Sequence, residues 1–179
     1  EKLALSGQAF PGRAFEQCSF TRCDLSGCDF TKNKFIECTF TGCDLSMIKL
    51  RGASLQQVDF VECKVMGVDL SACSEMLFSV RFDRCALDHS VLVKRRMPKA
   101  GFVKCSLKGV DFSEADLSQA ILDNCDLLDA AFERTDLRKA DLTTAFNFSI
   151  DPRNNDLRGA RFSPQGALEL LNVFGVMVE

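Results

Sequence analysis

Every fifth residue of this chain is large and apolar, a spacing that no regular secondary structure can bury on one face. Helices bring residues back to the same face every ~3.6 positions and strands every ~2. The series runs Leu5, Phe10, Phe15, Phe20, Leu25, Phe30, Phe35, Phe40, Leu45, Leu50, Leu55, Phe60, Val65 and Leu70. It then slips by two residues and resumes as Leu77, Phe82, Leu87, Leu92, Met97, Phe102, Leu107, Phe112, Leu117, Leu122, Leu127, Phe132, Leu137 and Leu142. All of these positions are apolar in a chain of 46% hydrophobic residues, so the period is not an accident of composition. To bury such a series the chain must turn after every repeat. Four five-residue sides close a square coil, and coils stack like neighbouring strands at ~4.8 Å. The expectation is a β-solenoid of about seven coils, a rod of roughly 35 Å.

Sorting the central residues by side tests this, counting the step from Leu70 to Leu77 as one side carrying a bulge. One side reads Leu5, Leu25, Leu45, Val65, Leu87, Leu107, Leu127, without an aromatic residue. Another reads Phe20, Phe40, Phe60, Phe82, Phe102, Leu122, Leu142, Phe162. Phenylalanine rings favour offset stacks, so a continuous phenylalanine column supports this register across the slip. Each repeat places a small residue and a polar residue before the centre and two polar or small residues after it. Cys23-Asp24-Leu25-Ser26-Gly27, Cys43-Asp44-Leu45-Ser46 and Ala115-Asp116-Leu117-Ser118-Gln119 show the pattern. In this the chain resembles the pentapeptide-repeat family over roughly residues 3–162. The fold so implied is all-β, a right-handed quadrilateral β-helix over 1–162, with 163–179 left for a C-terminal capping helix and tail.

All ten cysteines fall two residues before a centre: Cys18, Cys23, Cys28, Cys38, Cys43, Cys63 and Cys73 in the first frame, Cys85, Cys105 and Cys125 in the second. Val58, Val68, Val110, Ala53, Ala115, Ala120, Ala130 and Ala140 fill the same inward site, so cysteine is expected there as a compact hydrophobe. With one histidine and no Cys-x2-Cys pair, the sequence offers no metal site, and no cofactor is expected. Free thiols are expected throughout.

Three places interrupt the pattern. Two extra residues around Ser74-Glu75-Met76 must bulge. Residues 93–100 put Arg95 on an inward site, and because an unpaired buried Arg is costly, a short basic loop is expected there. It comprises Lys94, Arg95, Arg96, Met97, Pro98 and Lys99. Residues 147–156 are irregular, and Leu157 to Phe162 re-enter as a last side. Ser163-Pro164 then predicts a helix start and Gly175 its stop, for a helix of about three turns. A solenoid end exposes core and unpaired strand edge, so a cap is required. Leu168, Leu171, Phe174, Val176, Met177 and Val178 exceed what one end needs, and a two-fold dimer through this cap is expected.

Catalytic chemistry finds few candidates. The sole histidine, His89, occupies an outward site, tyrosine is absent, and the glycines sit at corners instead of forming a phosphate loop. Asp24, Asp29, Asp44, Asp59, Asp69, Asp111, Asp116, Asp126, Asp136 and Asp141 belong to the repeat and form no acid pair. The expectation is a protein without enzymatic activity. A net charge of −3 argues against direct nucleic-acid binding, and no apolar stretch is long enough to span a membrane. With no signal-peptide pattern at the start, a cytoplasmic location is expected. The aliphatic side carries Asp24, Asp44, Asp88, Asp126 and Asp129 against Lys64 and Lys108, while the other sides come near neutral. Ser26, Ser46, Gly27 and Gly67 leave it flat, suited to a basic, DNA-binding protein surface.

Within the family, the Cys-rich and Phe-rich repeats, the mid-rod bulge and basic loop, expected to bind the partner, and the ending from Asp151-Pro152-Arg153-Asn154-Asn155 through Phe162-Ser163-Pro164 to Leu170-Leu171-Asn172-Val173-Phe174-Gly175-Val176 resemble the gyrase-targeting branch. That branch includes Qnr-type quinolone-resistance proteins and microcin-immunity proteins. The resemblance implies a DNA-shaped dimer that binds DNA gyrase or topoisomerase IV and protects it from poisons. The alternative is a structural or regulatory scaffold whose partner is unrelated to topoisomerases.

Overall fold

The computed structural model describes residues 1–176. The chain winds into a four-sided parallel β-solenoid. Its strands are β1 (Ala14–Glu16), β2 (Ser19–Thr21), β3 (Lys34–Ile36), β4 (Thr39–Thr41), β5 (Ser54–Gln56), β6 (Val58–Val61), β7 (Val80–Asp83), β8 (Gly101–Val103), β9 (Ile121–Asp123), β10 (Asp141–Leu142) and β11 (Arg161–Phe162). We number the sides in chain order, the first being the aliphatic one and the fourth the phenylalanine one. The fourth side is an eight-stranded parallel sheet in the order β11-β10-β9-β8-β7-β6-β4-β2. The third begins as the sheet β1-β3-β5, and the first and second are joined coil to coil by single bridges such as Asp24 to Asp44 and Asp29 to Lys49.

The central residues fill the interior as the period demands. Phe20, Phe40, Phe60, Phe82 and Phe102 stack with ring centroids 4.6, 5.2, 5.0 and 5.5 Å apart. Phe60 pairs with Phe82 across the slip, which fixes the register the sequence implied. At nearly every corner the backbone takes positive φ two residues after the centre, Ala72 and Thr144 being exceptions. On the first side this holds for Gly67 (+64°) and Gly109 (+62°), and equally for Met47 (58°), His89 (60°) and Asp129 (58°).

The bulge departs from expectation in one detail. Leu77 is 70% exposed at a corner with φ of 56°, while Phe78 turns toward the core, so the buried series resumes at Phe82. Two inserted residues lift Glu75, Met76 and Leu77 off the third side, with Met76 72% exposed.

The predicted basic loop at 93–100 is not a loop. Lys94 accepts no detour: its N–H bonds the Ser113 carbonyl, Met97 that of Asp116, and Lys99 that of Ser118, so the segment stays in the wall. Arg95 is inward and 4% exposed. Its guanidinium donates to the carbonyls of Ser71, Cys73 and Ser74 and lies 4.9 Å from the Phe78 ring centroid. The bulge supplies these groups, so the cost of burying an unpaired cation does not arise.

At the C-terminal end Phe148 and Ile150 are buried within the irregular segment, and Asn155 donates to the carbonyls of Phe132 and Asp151. The cap is shorter than predicted. Ser163 caps α1 (Pro164–Glu169) by accepting from the Gly166 N–H at 3.0 Å, and a 3-10 turn (Asn172–Phe174) follows, ended by Gly175 at φ of 67°. Gly166 is buried because a Cβ there would lie 2.9 Å from the Phe148 ring, so the helix seats directly on the last coil.

Candidate protein-interaction surfaces

The five predicted acids share the first side. Asp24, Asp44 and Asp126 lie in one outward column, Asp24–Asp44–Lys64–Ala86–Ser106–Asp126–Phe146, bridged coil to coil. Asp88 and Asp129 point out one and two residues after the centres Leu87 and Leu127. Lys64 Nζ lies 3.9 Å from Asp44 and Lys108 Nζ 3.2 Å from Asp126, which leaves the net negative charge in place. The carboxylates also serve the fold. Asp24 accepts from the Ser26 hydroxyl at 2.7 Å and its N–H at 3.1 Å, and these bonds hold its carboxyl below the ordinary range. At Asp126 burial works upward, but the Asn147 amide and the Lys108 ammonium bring the carboxyl below its usual value.

Glycine keeps this side low. The Met47 side chain lies over Gly67, where a Cβ would come 2.5 Å from its Sδ, and His89 lies over Gly109, where a Cβ would come 2.6 Å from Nδ1. His89 is thereby an exposed surface group at a corner.

The basic segment splits by side-chain direction. Lys94, Arg96, Pro98 and Lys99 are exposed, whereas Arg95 and Met97 (5% exposed) point inward and cannot touch a partner. Their alternation is that of the wall itself. The segment lies beside the bulge, and the third side that carries Met76 and Leu77 is opposite the acidic first side.

On the cap, Leu168, Leu171, Phe174 and Val176 are 38, 37, 50 and 48% exposed, and the Arg153 guanidinium sits 5.1 Å from the Phe174 ring centroid. Met177 and Val178, also assigned to the dimer contact, lie outside the described residues. The sequence reading missed Phe146 and Leu128, exposed on the first side at 46 and 45%. The signal was available: Phe146 follows Ala4, Asp24, Asp44, Lys64, Ala86, Ser106 and Asp126 in an outward column where no other aromatic stands.

Among the described residues no group of three or more His, Cys, Asp or Glu is placed to hold a metal ion. None of their helices is long and apolar enough to cross a membrane. A void among Phe30, Phe35, Phe40 and Phe60 measures about 10 Å³, too small for a ligand.

Two family models, described as a pentapeptide repeat region and as pentapeptide repeats, match residues 13–92 and 105–143, about two thirds of the chain. The chain belongs to the pentapeptide-repeat family. Its fold is similar to two trypsin-treated variants of QnrB1, a plasmid-mediated fluoroquinolone resistance protein. One matches at a TM-score of 0.71 with 22% identity over 100% of both chains. The other matches at 0.71 with 24% identity over 99% of this chain and 98% of that one. HetL, a pentapeptide repeat protein involved in heterocyst differentiation regulation from the cyanobacterium Nostoc sp. strain PCC 7120, matches at 0.56 with 19% identity over 90% and 89%. No curated protein sequence matches the chain.

Proposed function

We propose that this pentapeptide-repeat protein is a non-catalytic cytoplasmic factor that binds DNA gyrase or topoisomerase IV as a DNA-shaped rod and protects it from fluoroquinolones or peptide toxins. The observation that carries this reading is the likeness of fold to QnrB1 over the whole length of both chains, in a rod whose first side carries a net negative charge. A topoisomerase must present a basic surface to DNA, and the first side offers a net negative one. Its charge density is far below that of DNA, which carries one phosphate per ~1.7 Å of axis. Charge therefore steers and orients the complex, while affinity rests on shape and on particular side chains. Lys94, Arg96, Pro98 and Lys99, beside the bulge on the far side, form a second contact region.

A second reading has its own support: HetL, which is involved in heterocyst differentiation regulation, shares the fold, so a scaffold with a partner unrelated to topoisomerases is the competitor. A gyrase supercoiling and DNA-cleavage assay with and without a fluoroquinolone separates the two. Fewer cleavage complexes at protein concentrations that leave supercoiling intact are expected. No effect at tens of micromolar sinks the topoisomerase reading in favour of the scaffold.

A further inference from the structure

Exposed large apolar side chains on the wall are few, and they are not spread evenly. Apart from the first residues, the bulge and the cap, they are Met47, Met66, Ile121, Leu128 and Phe146. Four of these five stand on the first side, with only Ile121 elsewhere, on the fourth. The side with the negative charge is thus also the side with the exposed apolar groups. They form two pairs. Met47 and Met66 lie on neighbouring coils, and so do Leu128 and Phe146, with Asp88 and the Lys108–Asp126 pair between them. At ~4.8 Å per coil the inner members are about 14 Å apart and the outer members about 24 Å.

Backbone groups on this side are used between coils, Leu45 N–H to the Lys64 carbonyl and Leu107 N–H to that of Asp126, so a partner cannot add as a strand. It can engage only side chains. We infer that the first side docks a basic amphipathic helix of a partner protein, whose apolar residues seat on the Met47–Met66 and Leu128–Phe146 pairs while its lysines and arginines meet Asp24, Asp44, Asp88, Asp126 and Asp129. Ten to sixteen helical residues at ~1.5 Å each span the two pairs. Phe146 adds an exposed aromatic ring beside Asp126, a place where a cation finds both a carboxylate and an aromatic quadrupole. The inference rests on the reading that the first side is the partner face, and leaves open which protein carries the helix.

The test uses two fluorescent probes at low ionic strength: the helical leucine–lysine peptide LKKLLKLLKKLLKL and octalysine, which has charge without an apolar face. The amphipathic peptide is expected to bind about tenfold more tightly than octalysine. Phe146→Ala with Leu128→Ser, and separately Met47→Ser with Met66→Ser, are expected to weaken it about fivefold each, while Ile121→Ser leaves it unchanged. All these side chains are exposed, so unchanged melting temperatures are expected to accompany the losses. Equal binding of the two probes, or a loss in Ile121→Ser as large as in the first-side variants, overturns the inference. Gyrase is assayed in parallel. If it neither binds nor is protected while the peptide pattern holds, the topoisomerase reading falls and this one stands; if the peptide pattern fails, this one falls whatever gyrase does.

Discussion

At the residue scale, the cysteines turn out to be hydrogen-bonding groups as well as small ones. Cys23, Cys43, Cys63, Cys85, Cys105 and Cys125 stack in one column at the corner that leaves the phenylalanine side. At these six cysteines the corner lacks the turn bond that joins small-site N–H to preceding central carbonyl at other places in the wall, as from Cys28 to Leu25 or Ala115 to Phe112. The thiols replace it. Cys63 Sγ donates to the Phe40 carbonyl at 3.3 Å and accepts from the Cys43 N–H at 3.4 Å, and Cys105 and Cys125 donate likewise to Phe82 and Phe102. Ser90, Thr135 and Asn155 make the same contact with oxygen or nitrogen. Cys63→Val should therefore cost about 1–3 kcal/mol by stranding a carbonyl and an N–H, whereas Cys63→Ser, which keeps both bonds, should cost less in the same denaturant titration. Equal losses would reduce the thiol to filler. The aspartates are used in the same local way. Hydrogen bonds from residues two positions on hold Asp24, Asp29, Asp136, Asp141 and Asp151 below the ordinary carboxylate range, and the Arg158 guanidinium brings Asp156 to about 2. A depressed folded pKa stabilises above the unfolded value near ~3.9 and is lost as pH falls through the folded one. The melting temperature is expected to stay level from neutral pH to about 4.5 and to drop between about 4 and 2. A drop already complete by pH 5 would assign acid unfolding to other groups.

At the element scale, the bulge and Arg95 act as one device. The inserted residues turn the carbonyls of Ser71, Cys73 and Ser74 and the ring of Phe78 onto the inward guanidinium of the following coil. Arg95→Met keeps the volume and removes the donors, leaving up to three buried acceptors at about 1–3 kcal/mol each before water relieves them. A loss of about 3 kcal/mol is expected by denaturant titration, together with proteolytic cleavage at 74–79 that the native protein resists. Unchanged stability and protease resistance would show that the bulge holds itself. This device also marks where the sequence stopped being legible. The period fixed which residues face inward, and it placed Arg95 correctly on an inward site. What it could not show was a partner, because the carbonyls that satisfy Arg95 lie 21–24 residues earlier and face it only through the insertion. Penalising a buried cation then pushed the segment out into a loop. The phenylalanine register and the Ser163 cap were legible because each depends on contacts one coil or three residues away. The short α1 was not: Leu170 and Leu171 continue the helical pattern, and the helix tightens into a 3-10 turn instead.

At the scale of the whole molecule, the cap carries more apolar surface than sealing one end requires. Sealing the last coil takes only part of it: Gly166 meets the Phe148 ring, Leu170 packs against the core, and Arg153 covers one face of Phe174. Leu168, Leu171, Phe174 and Val176 remain exposed beyond that need. We propose that a second copy across a two-fold axis covers them with the same residues, an interface that would close instead of propagating. Two rods end to end then carry two acidic sides in a fixed relation, so a partner that engages both gains from effective concentration without new contacts. Leu171→Asp with Phe174→Asp places four carboxylates on the axis of such a dimer, and light scattering is expected to find monomers with an unchanged β-rich circular dichroism spectrum. Protection of gyrase is expected to weaken far more than binding of a single rod to the leucine–lysine peptide, because only the former uses both copies. A dimer that survives the double substitution places its interface elsewhere. Monomers that protect as well as the native protein would show that one rod is the working unit.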